Sequence, residues 1–126
     1  MKKAFTALLA LACVYSGAAF GYGCSSLSSD LDWAKTYLDR AANERSFDSA
    51  KDHMRRARNA LDDVANDARD CGCNEAYSAF DWASTYARRA RDASDGDDFV
   101  YQYNRAVRGY NSGIDAINRC ARNMSQ

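Results

Sequence analysis

The chain contains one sequence pattern twice, and this duplication limits the fold more than any other feature. Residues 32–41 read DWAKTYLDRA and residues 81–90 read DWASTYARRA, at an offset of 49 positions. The match extends in both directions without a gap. We therefore interpret residues 24–71 and 73–120 as tandem repeats that fold into the same kind of unit.

Cysteine begins and ends each repeat. In an antiparallel helical hairpin the start of the first helix lies beside the end of the second, so we expect the disulfides Cys24–Cys71 and Cys73–Cys120. Each bond would close the open end of one hairpin and contribute about 4 kcal/mol in the chain-entropy account of disulfides. Gly72, alone between the repeats, would let the chain turn sharply.

Three other uses of these cysteines stay open at the level of sequence. A Cys71–Cys73 bond would close a strained ring suited to thiol–disulfide exchange. A Cys24–Cys120 bond would leave the other two to pair or stay free. A zinc site made of four thiolates is disfavoured, because its usual pairs of ligands two to four residues apart are missing.

Apolar residues step by three and four positions through both repeats, which is the period of a helix buried on one side. The pattern predicts an all-α fold: an antiparallel four-helix bundle built from two disulfide-stapled hairpins. Ser46 or Asp48 would cap the second helix, and Asp95 or Asp97 the fourth. The predicted helices are 27–44, 48–70, 76–93 and 98–121. The predicted core stripe is Leu27, Leu31, Ala34, Leu38, Ala41, Ala50, Met54, Ala57, Leu61, Val64, Ala68, Cys71, Ala76, Phe80, Ala83, Ala87, Ala90, Phe99, Tyr103, Ala106, Tyr110, Gly113, Ile117 and Cys120.

The first 23 residues read as a signal peptide that is cleaved. A short basic start is followed by an apolar run and then by small residues. Residues 24–126 would form the mature chain, one domain without a transmembrane span, in the periplasm or secreted. The even number of cysteines left after cleavage agrees with an oxidising compartment. A lipoprotein is disfavoured, because Cys24 follows Gly-Tyr-Gly and Cys13 would leave a very short apolar segment.

The charge of the mature chain argues against nucleic-acid binding. Loss of Lys2 and Lys3 reduces 17 basic residues to 15 against 17 acidic residues, a formal charge of −2. The remaining arginines cluster mainly on two predicted helices. Acidic residues three or four positions away predict ordinary surface ion pairs for them, namely Asp52–Arg56, Arg58–Asp62 and Arg88–Asp92.

The repeated Trp-x-x-x-Tyr is the most distinctive element of the duplicated motif. Trp33 with Tyr37, and Trp82 with Tyr86, each lie on one helix face, displaced by one position from the core stripe. We expect these rings to complete an alanine-rich core from its flank. The alternative is that they form two aromatic platforms that bind a partner or an apolar ligand.

Nothing in the sequence carries a recognisable catalytic signature, so we do not expect an enzyme, a cofactor or a bound metal. His53 is the single histidine, and no phosphate-binding loop or nucleophile motif is present. The most favoured function is an exported interaction protein that binds another protein through its helix faces, as an inhibitor, an immunity-type factor or an accessory factor. A small-molecule-binding bundle that uses the Trp/Tyr pairs is one alternative, and a thiol–disulfide protein that uses Cys71 and Cys73 is the other. Because a duplicated hairpin resembles a fused dimer, we expect a monomer.

Overall fold

The computed structural model describes residues 24–124, which form four α-helices. The predicted signal peptide lies outside the described residues. None of the helices in residues 24–124 combines the length and the apolar character needed to cross a bilayer. The helices are α1 (Leu27–Asn43), α2 (Phe47–Asp70), α3 (Asn74–Arg91) and α4 (Gly96–Met124).

The helices form an antiparallel bundle in which each helix packs beside the next one in the chain. Two disulfides connect helix ends as the hairpin argument predicts, Cys24 to Cys71 and Cys73 to Cys120. Each bond joins residues 47 positions apart in the sequence. The fold prediction is confirmed, and Cys71 and Cys73 are not bonded to each other.

The connection between the two hairpins is a helix C-terminus closed by glycine. Gly72 has a φ of +82°, the left-handed conformation that glycine adopts at little cost. The Cys73 amide donates to the carbonyl of Ala68 and the Gly72 amide donates to that of Arg69, both at 2.9 Å. This Schellman arrangement satisfies carbonyls at the end of α2. Because the chain turns so sharply, Gly72 alone separates Cys71, which ends the first hairpin, from Cys73, which begins the second.

Side-chain caps fix the starts of the second and fourth helices. The Ser46 hydroxyl accepts from the Ser49 amide at 3.2 Å, and the Asp95 carboxylate accepts from the Asp98 amide at 2.8 Å. Each cap satisfies an amide that has no partner within its helix. The predicted caps Ser46 and Asp95 are thereby confirmed, and both connections between paired helices remain short.

The core combines alanine and aliphatic residues on α1, α2 and α3 with large aromatic residues, most of which lie on α4. Phe99, Tyr103 and Tyr110 of α4 are buried, and Phe99 and Tyr110 make edge contacts with the rings of Phe47 in α2 and Phe80 in α3. The Tyr103 hydroxyl donates to the carbonyl of Leu38 at 2.8 Å, which joins α4 to α1. Burial raises the pKa of the Tyr103 phenol strongly. Tyr103 therefore connects the first and last helices.

At equivalent positions, the two hairpins fill the core with residues of different size. In the second, Phe80 packs directly on Gly113, and a Cβ atom added to that glycine would lie 2.5 Å from the Phe80 ring. The offset of 49 places Leu31 and Val64 at the equivalent positions of the first hairpin, and both are buried. A large residue facing glycine thus replaces two residues of medium size, as close packing requires.

We predict that Gly113→Ala destabilises the protein although alanine is the better helix former. The clash with Phe80 should cost more than the ~1 kcal/mol gained in helix propensity, for a net loss of about 1–2 kcal/mol in denaturant unfolding. The matched control is the double variant Gly113→Ala with Phe80→Leu, which should recover much of the loss. A single variant as stable as the parent would contradict this packing.

We also predict that the disulfides can be read directly from a tryptic digest made without reduction. Trypsin leaves Cys71 and Cys73 together on peptide 70–88. That peptide should be found joined both to the Cys24 peptide and to peptide 120–122, which contains Cys120. Recovery of peptide 70–88 alone and two hydrogens lighter would contradict the observed pairing.

Candidate functional site

The tryptophan of each repeated motif lies on the surface. Trp33 is 52% exposed and Trp82 is 39% exposed, whereas Tyr37 and Tyr86 are partly buried against the core. The ring centroids are 5.7 Å apart in the first pair and 4.4 Å apart in the second. Trp33 therefore contributes little to the core that it was expected to complete, whereas Trp82 packs with one edge of its ring against Gly109 of α4.

The Trp33–Tyr37 pair borders an open groove between α1 and α2. Its volume is about 420 Å³. Tyrosine anchors the pair to the core and tryptophan stacks on it, so the exposed ring is held on a rigid helix face. Both helices contribute to the lining, which consists of Asp30, Trp33, Tyr37, Arg55, Arg56, Asn59, Ala60 and Asp63.

Three carboxyl groups lie close together along this groove and behind it. Burial raises the pKa of Asp67 to about 7, and a hydrogen bond to Asp30 together with the negative charges of Asp30 and Asp63 adds to the effect. Burial also raises the pKa of Asp63, helped by repulsion from Asp30. Asp30 and Asp63 therefore bring carboxyl groups to a groove that Arg55 and Arg56 also line, beside an exposed aromatic ring.

Two arginines at the rim of the groove are held by one carboxylate. Arg55 Nη2 lies 2.7 Å from Asp52 Oδ1, and Arg56 Nε lies 3.6 Å from Asp52 Oδ2. The hydrogen bond from Arg55 lowers the pKa of Asp52. Because both guanidinium groups are directed at Asp52, neither is among the cations found over an aromatic ring in residues 24–124.

The second hairpin arranges the equivalent side chains differently. The guanidinium carbon of Arg105 lies 5.3 Å from the ring centroid of Trp82, 4.8 Å from that of Tyr86 and 5.3 Å from that of Tyr101. Arg105 Nη1 also donates to the Tyr101 hydroxyl at 3.1 Å. These three rings form an aromatic cage, and the chain's own arginine fills it.

The other residues singled out in the sequence have structural roles. Arg58 pairs with Asp62 at 3.4 Å as predicted, whereas Asp92 pairs with the adjacent Arg91 at 2.8 Å and not with Arg88. His53 is partly buried, with Nε2 2.9 Å from a carboxylate oxygen of Glu44 in the α1–α2 connection. Among residues 24–124, no group of three His, Cys, Asp or Glu side chains is placed to hold a metal ion.

Sequence reasoning selected the Trp/Tyr pairs and the Asp52–Arg56 ion pair but missed the acidic residues of the groove. A signal was available in the differences between the repeats. At the offset of 49, Asp52 aligns with Tyr101. The acids along the groove and behind it align with neutral residues: Asp30 with Ala79, Asp63 with Ser112 and Asp67 with Ala116.

Comparison with known proteins finds no family model, no curated protein and no solved structure that matches this chain. The candidate site therefore depends on its geometry and chemistry alone.

We predict that Asp67 makes the stability of the protein fall between about pH 4 and about pH 7. The folded state holds the Asp67 proton up to about pH 7, whereas the unfolded chain releases it near its ordinary pKa of 3.8. Protonation therefore favours folding across this window, and the benefit is lost as the pH rises. Thermal unfolding measured at several pH values gives this dependence.

The variant Asp67→Asn should flatten the pH dependence and stabilise the protein at pH 8 by about 1 kcal/mol, a partial effect because the carboxyl is only partly buried. The asparagine amide can still donate to Asp30. Asp97→Asn, an exposed acid at the start of α4, is the control and should leave the pH dependence unchanged. An unaltered slope in the Asp67 variant would contradict the assignment.

Proposed function

We propose that this chain is an exported, non-catalytic interaction protein that binds a protein partner through the helix faces that carry its Trp/Tyr pairs. Its role would be that of an inhibitor, an immunity-type factor or an accessory factor of the cell envelope. The single observation that carries the proposal is the exposure of Trp33 at an open groove whose other residues are mostly charged.

The groove beside Trp33 carries the residue types that dominate many protein interfaces. Tryptophan, tyrosine and arginine are the residues that most often supply the binding energy of protein interfaces. All three line the groove between α1 and α2, through Trp33, Tyr37, Arg55 and Arg56. A tryptophan held on a helix by its stacked tyrosine also loses little conformational entropy when it binds.

The proposed location follows from the disulfides together with the first 23 residues. Two bonds between helix ends indicate an oxidising, extracellular or periplasmic environment. The basic start and apolar run of residues 1–23 support export through a cleaved signal peptide. A small bundle stapled at both hairpins would keep its binding face intact outside the cytoplasm.

A small-molecule ligand is the second candidate. It is favoured by the volume of the groove, about 420 Å³, which lies within the range of ~300–1,000 Å³ typical of ligand sites. The groove is open and its lining is mainly charged, whereas most ligand pockets are enclosed and apolar. These properties favour a protein surface as the occupant.

We predict that binding of the partner depends on Trp33. Envelope and secreted fractions of the source cells are passed over the immobilised protein, and a retained protein is purified for titration calorimetry. Trp33→Ala should weaken its binding about 30-fold, the effect of losing a central interface residue. Asp97→Ala, at the exposed start of α4, should bind like the parent.

Circular dichroism establishes that both variants fold, so that a loss of binding reports the surface. Equal binding by the Trp33 variant and the parent would contradict the proposed face. Failure to retain any protein, combined with ligand-dependent quenching of Trp33 by a small-molecule extract, would support the second candidate instead.

A further inference from the structure

The second hairpin shows which chemical group an aromatic pair of this kind holds. Trp82, Tyr86 and Tyr101 surround the guanidinium of Arg105, with all three ring centroids within 5.3 Å of its central carbon. The guanidinium is planar and weakly hydrated, so it stacks well on aromatic rings. In this hairpin the ligand is part of the chain, and the site is already occupied.

The first hairpin has the same aromatic pair, but no cation lies over its tryptophan among the contacts of residues 24–124. Arg40 lies 5.6 Å from the Tyr37 ring centroid, as the equivalent Arg89 lies 4.9 Å from that of Tyr86, so the difference between the hairpins is the cation beside the tryptophan.

Arg56 stands at the position equivalent to Arg105, yet it is directed to Asp52, which stands where the second hairpin has Tyr101. One exchange of tyrosine for aspartate therefore moves the arginine away from the rings. Trp33 remains 52% exposed beside the open groove.

The first hairpin also adds negative charge that its fold does not need. Asp30 and Asp63 line the groove, and Ala79 and Ser112 occupy the equivalent positions of the second hairpin. Since the second hairpin folds with neutral residues there, packing does not require the acids. Arg55 and Arg56 also reach the groove, but Arg55 donates a hydrogen bond to Asp52 and Arg56 forms an ion pair with the same carboxylate at 3.6 Å.

From these observations we infer that the groove of Trp33, Tyr37, Asp30 and Asp63 binds the guanidinium of an arginine side chain. The arginine comes from the protein partner, and for that source the inference rests on the proposed function. The guanidinium stacks on the aromatic pair as Arg105 does on Trp82 and Tyr86. The two carboxylates accept hydrogen bonds from its N–H groups. The planar fork of donors in a guanidinium matches the geometry of carboxylate oxygens well.

The two tryptophans of the chain provide a built-in comparison. An NMR spectrum of the disulfide-bonded protein shows one indole N–H signal for each, and Trp33→Phe assigns them. N-acetyl-arginine amide is the probe. It should shift the Trp33 signal in a saturable manner and leave the Trp82 signal in place, because Arg105 fills the second cage.

Two further probes define the chemistry. N-acetyl-citrulline amide has nearly the same shape without the charge, and it should bind at least about fivefold more weakly if the stacked cation supplies the affinity. N-acetyl-glutamate amide should not shift Trp33. The inference is overturned if the Trp33 signal does not shift with the arginine probe. It is also overturned if the signal responds equally to the citrulline probe or more strongly to the glutamate probe.

Two reciprocal variants test the role of the internal arginine. Arg105→Ala should empty the second cage, so that the arginine probe now shifts the Trp82 signal. Asp52→Tyr should release Arg56 to cover Trp33, so that the Trp33 signal no longer responds. Both variants keep the aromatic pairs and leave the core unchanged. Absence of both effects overturns the inference.

The carboxylates are tested by combining Asp30→Asn with Asp63→Asn, which should weaken the arginine probe at Trp33 about fivefold or more. Asp97→Asn is the matched control and should not change the response. Retained affinity in the double variant overturns the assigned role of these acids.

Failure of this inference can be distinguished from failure of the proposed function. If Trp33→Ala abolishes partner binding but the arginine probe never shifts the Trp33 signal, the proposed partner surface is supported and the guanidinium site is contradicted. If the probe binds while Trp33→Ala leaves partner binding unchanged, the guanidinium site is supported and the proposed binding face is contradicted.

Discussion

Close approach of alanine-lined helices is the constraint on which the rest of this structure depends. Small residues at the contact positions of α1, α2 and α3 let the helix backbones approach, and large residues of α4 fill the spaces that remain. Phe99, Tyr103 and Tyr110 supply this volume. Trp33 and Trp82 lie at the edge of this core, where Trp33 is about half exposed and one edge of the Trp82 ring packs against Gly109 of α4. The tyrosine of each pair packs against the core itself.

The two hairpins share one scaffold and differ in the charge beside their aromatic pairs. In the second, Arg105 lies among three rings, and the surface there is self-contained. In the first, Asp52 holds the equivalent Arg56, and acids line the open groove. Raised pKa values at Asp63 and Asp67 indicate that this grouping works against stability at neutral pH. Clusters of this kind are frequent at functional sites, where binding offsets the cost.

Much of the fold could be predicted from the chain because its signals are local and periodic. Steps of three and four residues located the helices to within two or three residues at most ends, and Ser46 and Asp95 cap the helices for which they were predicted. The cysteine spacing, with the antiparallel rule, led to both disulfides. The candidate site was only half predictable. Its aromatic residues stand in a repeated motif, whereas Asp30, Asp63 and Arg56 meet across two helices and share no pattern along the chain.

The amino-acid sequence by itself determined four helices, two stapled hairpins and a repeated aromatic pair, because periodicity, capping and cysteine spacing act within a helix or between neighbouring helices. Only the tertiary structure decided whether the tryptophans face the core or the solvent. Periodicity places both tryptophans beside the core stripe, but the exposed fraction of each ring depends on how closely the neighbouring helices cover it. The pairing of Arg56 with Asp52 was readable from the sequence, because the two residues lie four positions apart on one helix. That Arg105 lies over Trp82 and Tyr86 was decided by the packing of α4 against α3, which brings together residues about 20 positions apart.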